Sequence, residues 1–246
     1  MKKVLIFVFL GLVSLYGEKI NIAVAANVSY AIDDLIKEFN KTNPDTEVQV
    51  TLGSSGKLTA QIKNGAPYDL FMAANMKYPE ALEKDGIAVT KPIVYAQGSL
   101  AILSAKKIDF SKGLELLKED KIKKIAIANP KTAPYGKATV EALKNANIDV
   151  SKKFVYGESI SQTVSYAITA ADLGFIAKSS LYSSKMKKFE KNSNWVDVDP
   201  KLYTPINQGI VILSKAKSSK DTKAFYDFIL GEKAKKIFKE FGYLVP

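Results

Sequence analysis

The chain has 246 residues, 47% of them apolar, and a formal net charge of +11, enough for one large domain or two lobes of about a hundred residues each. It contains no Cys and no His, and all 36 of its basic residues are lysines, which argues against zinc, haem, copper and iron–sulfur sites, catalytic triads and cysteine nucleophiles. Without arginine no planar fork can grip a carboxylate or phosphate bidentately, and the lysines are scattered among acids, as from Glu115 to Lys121, which reads as a solvated surface with no nucleic-acid partner.

Met1-Lys2-Lys3 precedes an uncharged apolar run, Val4 to Tyr16, in the form of a secretory signal too short to span a membrane comfortably. Cleavage after Gly17 makes residues 1–17 the signal peptide, although Leu15 is not the small residue such sites favour. No cysteine follows, so no lipid anchor is expected, and the product is a soluble periplasmic protein.

From Ile20 strands and helices alternate. Ile20 to Ala26 is a short apolar strand ending at Asn27, and Ala31, Leu35 and Phe39 mark a helix face that stops before Asn43-Pro44. Glu47 to Leu52 alternates as a half-buried strand, and Leu58, Ile62 and Ala66 recur at helical spacing. Asp69 to Ala74 reads as a buried strand and Tyr78 to Lys84 as a helix. The rhythm then changes: Ile93 to Ala96 and Leu100 to Leu103 are extended runs with no helix between them, a crossing into a second lobe. There the sequence predicts a helix over 113–119, a strand over 125–128, a helix after Pro134-Tyr135-Gly136, a strand over 154–156, a helix through Val164 and Ile168, and a strand over 173–177. A lysine-rich loop follows, Pro205 to Leu213 is extended and crosses back, and helices over 221–230 and 232–241 close the chain. The expected organisation is α/β: a first lobe of residues 18–95 plus 212–246 and a second of 96–211, each a mostly parallel sheet flanked by helices.

Ligands of such sheets bind beyond the carboxyl ends of the strands. The junctions at Asn27, Ser54-Ser55, Tyr135-Gly136 and Ser159-Ile160 would then face one cleft, each a helix start whose first N–H groups lack partners and whose dipole favours an anion. A serine N-cap after a tight turn accounts for Ser54 equally well, Asn27 can simply cap its helix, and Tyr135 can simply pack. Asp69 reads as a turn residue and Trp195 as packing. Gly53 and Gly56 are too close together for a nucleotide-binding P-loop. Ser54-Ser55-Gly56-Lys57 fits the Ser-x-x-Lys of serine–lysine hydrolases, but so do three other segments of this lysine-rich chain, and no Ser-Asp-Asn or Lys-Thr-Gly accompanies it. A hydrolase using Ser54 and Lys57 is the alternative from a different class.

Gly65-Ala66-Pro67-Tyr68-Asp69-Leu70-Phe71, supported by Ala25-Ala26-Asn27, Gly53-Ser54-Ser55, Ala128-Asn129-Pro130, Pro134-x-Gly136 and Leu173-Gly174, resembles the periplasmic molybdate-binding proteins of ABC import systems over nearly the whole exported chain. The resemblance implies a type II two-lobed binding protein, not an enzyme. It would be a monomer without cofactor or free metal cation that takes molybdate or tungstate to a membrane permease; another oxyanion or small solute on the same scaffold is the rival. Carried over by position, the resemblance implies donors at Asn27, where the family has a serine, at the Ser55 hydroxyl, and at the main-chain N–H groups of Tyr135 and Ile160. Some members add a tyrosine where this chain has Ala177, which leaves Ser29, Ser54 or Ser159 to supply the missing donor.

Overall fold

A computed structural model describes residues 18–246, so the expected signal segment lies outside the described residues. Two five-stranded sheets organise the chain. The first holds β1 (Lys19–Ala25), β2 (Glu47–Gly53), β3 (Leu70–Met72), β4 (Ile93–Gly98) and β10 (Ile206–Ile212), in the order β2-β1-β3-β10-β4. The second holds β5 (Leu100–Leu103), β6 (Ile125–Ala128), β7 (Phe154–Gly157), β8 (Leu173–Ala177) and β9 (Trp195–Asp197), in the order β7-β6-β8-β5-β9.

In each sheet one strand opposes the rest: β10 is antiparallel to β3 and β4, and β5 is antiparallel to β8 and β9. The reason is topological. The parallel strands run toward the cleft, so a chain that enters a lobe from the cleft must run away from it. Sheet membership changes between Gly98 and Leu100 and again between Asp197 and Ile206; the boundaries expected at 95/96 and 211/212 fall inside β4 and β10.

Near-continuous apolar runs mark sheets covered on both faces. Ile20, Ile22 and Val24 of β1 pack with Leu35, Phe39, Phe225 and Phe238 on one side, while Ala23 joins Leu58, Phe71 and Leu82 on the other. These contacts seat α1 (Ile32–Phe39), α6 (Lys220–Leu230) and α7 (Glu232–Glu240) on one face and α2 (Ser55–Lys63) and α3 (Lys77–Lys84) on the opposite one. Phe39 meets Phe225 edge to face at 5.0 Å between centroids, and each such ring contributes roughly 1.5–3 kcal/mol by burial. In the second sheet Ile125 and Ile127 face the cluster that holds α4 (Pro134–Asn145), while Ala126 faces Val164 and Ala167 of α5 (Ile160–Thr169).

Two sequence expectations need correction. Residues 113–118 form a 3-10 helix, not an α-helix: Gly113 enters it at φ 55, Glu119 leaves it extended at ψ 144, and the N–H groups of Glu115 and Glu119 bond three residues back, to Lys112 and Leu116. The lysine-rich stretch before Pro205 is not all loop, since it carries three 3-10 turns and the edge strand β9, which pairs Trp195 with Leu103. Among the described residues no helix is long and apolar enough to cross a membrane.

Candidate functional site

The lobes touch where their strand ends meet. Ala25, Ala26 and Ala74 of the first lobe belong to the same buried cluster as Ala128, Tyr135 and Ile160 of the second. These small side chains let the backbones approach closely. At Gly56, in the first turn of α2, the N–H donates across the cleft to the carbonyl of Thr132 at 2.9 Å, and a Cβ there would lie 2.9 Å from that same oxygen. Only glycine fits between the two main chains. At the mouth, Ser54 and Lys57 face Glu158, Ser159 and Gln162, and the Lys57 ammonium pairs with the Glu158 carboxylate.

All four residues singled out from sequence are buried at this junction: Asn27, Ser55, Tyr135 and Ile160 are each 4% exposed or less. Ser55 opens α2, and its Oγ accepts from the N–H of Ala74 at 2.9 Å. A hydroxyl that accepts in this way still has its own proton to donate. Ser54, the N-cap residue, makes no side-chain cap bond, and its buried Oγ has no partner; it is not the conventional N-cap that its position suggested. Of the three serines considered as a replacement donor, Ser159 Oγ accepts from the N–H of Gln162 and shares a hydrogen bond with Ser161 Oγ at 3.1 Å, whereas Ser54 Oγ has no partner.

The second lobe contributes differently. Pro134 starts α4, where its missing N–H costs nothing, so Tyr135 carries the first N–H of the helix; Ile160 carries the first N–H of α5. Neither has an acceptor within its own helix. The Tyr135 ring is packed away, its hydroxyl meeting the Gln208 amide at 3.3 Å, and burial pushes its phenol well above the ordinary tyrosine range. Ala177 is fully buried in the same cluster and offers no hydroxyl.

Asn27 does not cap a helix. It sits inside a 3-10 helix, Ala26–Tyr30, with no side-chain cap bond. Its Nδ2 donates to Gln208 Oε1 at 2.8 Å and to the Tyr243 hydroxyl at 3.0 Å, and that hydroxyl donates to the Asn27 carbonyl at 2.8 Å. Ser179, just beyond β8, donates to the same carbonyl from across the cleft at 3.1 Å. Gln208, Tyr243 and Ser179 were missed in the sequence, where nothing in their local pattern links them to residue 27.

Charge is kept out of this region. No lysine is among the buried residues, and Asp69 is the one buried carboxylate among those described. It lies elsewhere, tying β1 to β3 by accepting from the N–H of Asn21 at 2.6 Å. Trp195 packs at the edge of the second sheet and donates to the Phe189 carbonyl at 3.2 Å. Uncharged donor groups, the Ser54 and Ser55 hydroxyls and the opening N–H groups of α4 and α5, therefore lie buried near the contact between the lobes. That chemistry suits a small anion.

Comparison with known proteins gives whole-chain matches. The family model for bacterial extracellular solute-binding proteins matches residues 20–244. The molybdate-binding protein ModA of Azotobacter vinelandii is 38% identical over 229 residues, covering 92% of this chain and 89% of that protein. Its counterpart in Rhodobacter capsulatus is 34% identical, covering 90% and 86%. Among solved structures, the Azotobacter vinelandii periplasmic molybdate-binding protein superposes with a TM-score of 0.85 at 30% identity, covering 92% of this chain and 99% of that one.

Proposed function

The chain belongs to the bacterial extracellular solute-binding proteins, and on that premise we propose that it captures molybdate or tungstate between its lobes and delivers it to the permease of an ABC importer. It acts in the periplasm as a monomer, without a cofactor and without breaking a bond. The observation that carries this reading is the Ser55 hydroxyl, fully buried at the start of α2, with its oxygen already engaged by Ala74 N–H and its proton left to donate. Around it, Ser54 and the main-chain N–H groups of Tyr135 and Ile160 supply further neutral donors, and Asn27 stands at the fourth junction.

Hydrogen bonds to a charged partner are worth about 1.5–3 kcal/mol each, and dipoles fixed at helix starts need no reorganisation when the dianion arrives. Selection of molybdate over sulfate would come from the size of the cleft, a site shaped for the larger tetrahedron holding the smaller one loosely. The relatives named for molybdate support the choice of ligand. A hydrolase built on Ser54 and Lys57 is disfavoured, because the Lys57 ammonium is drawn to Glu158 at the surface and Ser54 Oγ has no base beside it.

Calorimetric titration of the purified protein with molybdate, tungstate, sulfate and phosphate tests the proposal. Heat with the first two and little with the others is expected, while silence with both heavy oxyanions overturns it. Lys57→Ala should leave binding nearly intact.

A further inference from the structure

Besides Ser54 Oγ, another buried atom at the site has nothing to bond. Both amide hydrogens of Asn27 are taken by Gln208 Oε1 and the Tyr243 hydroxyl, while Asn27 Oδ1, on the other arm of the same fully buried amide, has no partner. A buried unpaired acceptor is costly by itself, and beside a dianion it would also repel. With both amide hydrogens so engaged, the Asn27 side chain has no donor left to offer an oxyanion.

The same heavy-atom positions admit a second pattern. If both amides turn over, Asn27 presents its oxygen to Gln208 and Tyr243, and Gln208 presents its NH2 to Asn27 and to the Tyr95 hydroxyl, which lies 2.9 Å away. Tyr95 then donates to the Ala73 carbonyl, which it already approaches at 3.5 Å. The Tyr135 hydroxyl, 3.3 Å from the other arm of the Gln208 amide, becomes a donor to it. Tyr243 donates to the Asn27 amide oxygen, and Ser179 keeps the Asn27 carbonyl satisfied. Every other buried group of the network retains a partner, and the Asn27 NH2 now stands where the unpaired oxygen stood, its two N–H donors left for the oxyanion. Neither amide can turn alone, because that would set oxygen against oxygen or NH2 against NH2 at 2.8 Å.

We infer that Asn27 and Gln208 form a coupled amide switch in which the arriving oxyanion turns both side chains over together, making Asn27 a donor and Gln208 its positioning residue. This rests on the proposed oxyanion function. Gln208 suits the role because its amide, 0% exposed, joins three elements around the site: the 3-10 helix carrying Asn27, the crossing strand β4 through Tyr95, and α4 of the other lobe through Tyr135. The phenols can reverse roles since each is both donor and acceptor, and burial holds them neutral by pushing their ionisation upward.

The test uses nitrogen-15 NMR of the side-chain NH2 groups of the intact protein, titrated with tungstate and with molybdate. The Asn27 and Gln208 signals are assigned by their loss in Asn27→Ser and Gln208→Met. Both pairs of resonances are expected to move together to saturation, although Gln208 touches no ligand. Gln208→Met, close in size but without an amide, should lose tenfold or more in affinity with a melting temperature near that of the parent. If this variant does not fold, the spectra of the parent still decide. Calorimetric heat with the Gln208 resonances unmoved overturns the switch and leaves the receptor standing. No heat with either oxyanion overturns both.

Discussion

In the proposed site the two lobes would meet the oxyanion with different chemistry. The first brings side chains: the Ser54 and Ser55 hydroxyls and the Asn27 amide. The second brings a tyrosine whose ring is turned into the core and an isoleucine, so that only their main-chain N–H groups can serve. In the first lobe, then, the identity of a residue matters to the ligand; in the second, the position of the backbone matters and the identity of the side chain matters only through what it holds in place. That contrast orders the expected consequences of substitution.

The largest effect should come from moving the second lobe's backbone. Gly136 lies in the first turn of α4 so close to β6 that a Cβ would fall 2.0 Å from the carbonyl oxygen of Ala128. That contact is with main chain, which cannot swing aside, so Gly136→Ala must displace the helix start and the Tyr135 N–H with it. Overpacking of this kind costs about 1–3 kcal/mol or more. The expected result is a lowered denaturant midpoint together with loss of most oxyanion affinity by calorimetry. Unchanged affinity in a destabilised variant would mean that the start of α4 does not touch the ligand.

Next comes removal of a side-chain donor from the first lobe. Ser55→Ala deletes the proposed hydroxyl and also leaves the buried N–H of Ala74 without its acceptor. A charge-assisted bond of about 1.5–3 kcal/mol is lost, which corresponds to roughly ten- to hundredfold weaker binding. Ser55→Thr retains the hydroxyl and should recover part of the loss, a result that mere disruption of packing would not give.

This same contrast governs how far the sequence could be read. The alternation of short apolar strands with amphipathic helices was legible because both faces of each sheet are covered, and the crossing at Gln97-Gly98-Ser99 was legible because it lacks a helix. The four strand-to-helix junctions could be located, since strand ends and helix starts are local features. The partners of Asn27 could not. Gln208 is 181 residues away and Tyr243 is 216 away, and a glutamine in an extended run or a tyrosine near the end of the chain carries no local sign of burial. The antiparallel placement of β5 and β10 was equally invisible, because strand direction is fixed by which lobe the chain has just left. The 3-10 character of residues 113–118 escaped because its apolar spacing is shared with a short α-helix.

A side-chain change in the second lobe should do little to binding. Ile160→Val removes one methylene from a residue 4% exposed, so stability should fall by about 0.5–1.5 kcal/mol while the oxyanion affinity stays within about twofold, as the N–H is retained. Paired calorimetry and denaturation separate the two quantities. An affinity loss comparable to that of Ser55→Ala would erase the distinction between the lobes.

The smallest effect concerns pH, where both lobes should behave alike. The chain has no His, the one side chain that ordinarily titrates between about pH 6 and 8, so affinity should vary by less than about threefold across that window. At higher pH the phenols behind the site matter. Burial raises Tyr95 and Tyr243 in the first lobe and Tyr135 in the second above their ordinary range. Below about pH 10 these phenols are protonated whether the chain is folded or not, and their contribution to stability is constant. Above that the unfolded chain loses their protons and the folded one keeps them, so the unfolded state binds fewer protons and stability falls as pH rises. Denaturation midpoints flat from about pH 6 to 8 and declining beyond about 10 are expected. Tyr135→Phe should make the alkaline decline shallower, and an unchanged slope would mean that this phenol is not held neutral by the core.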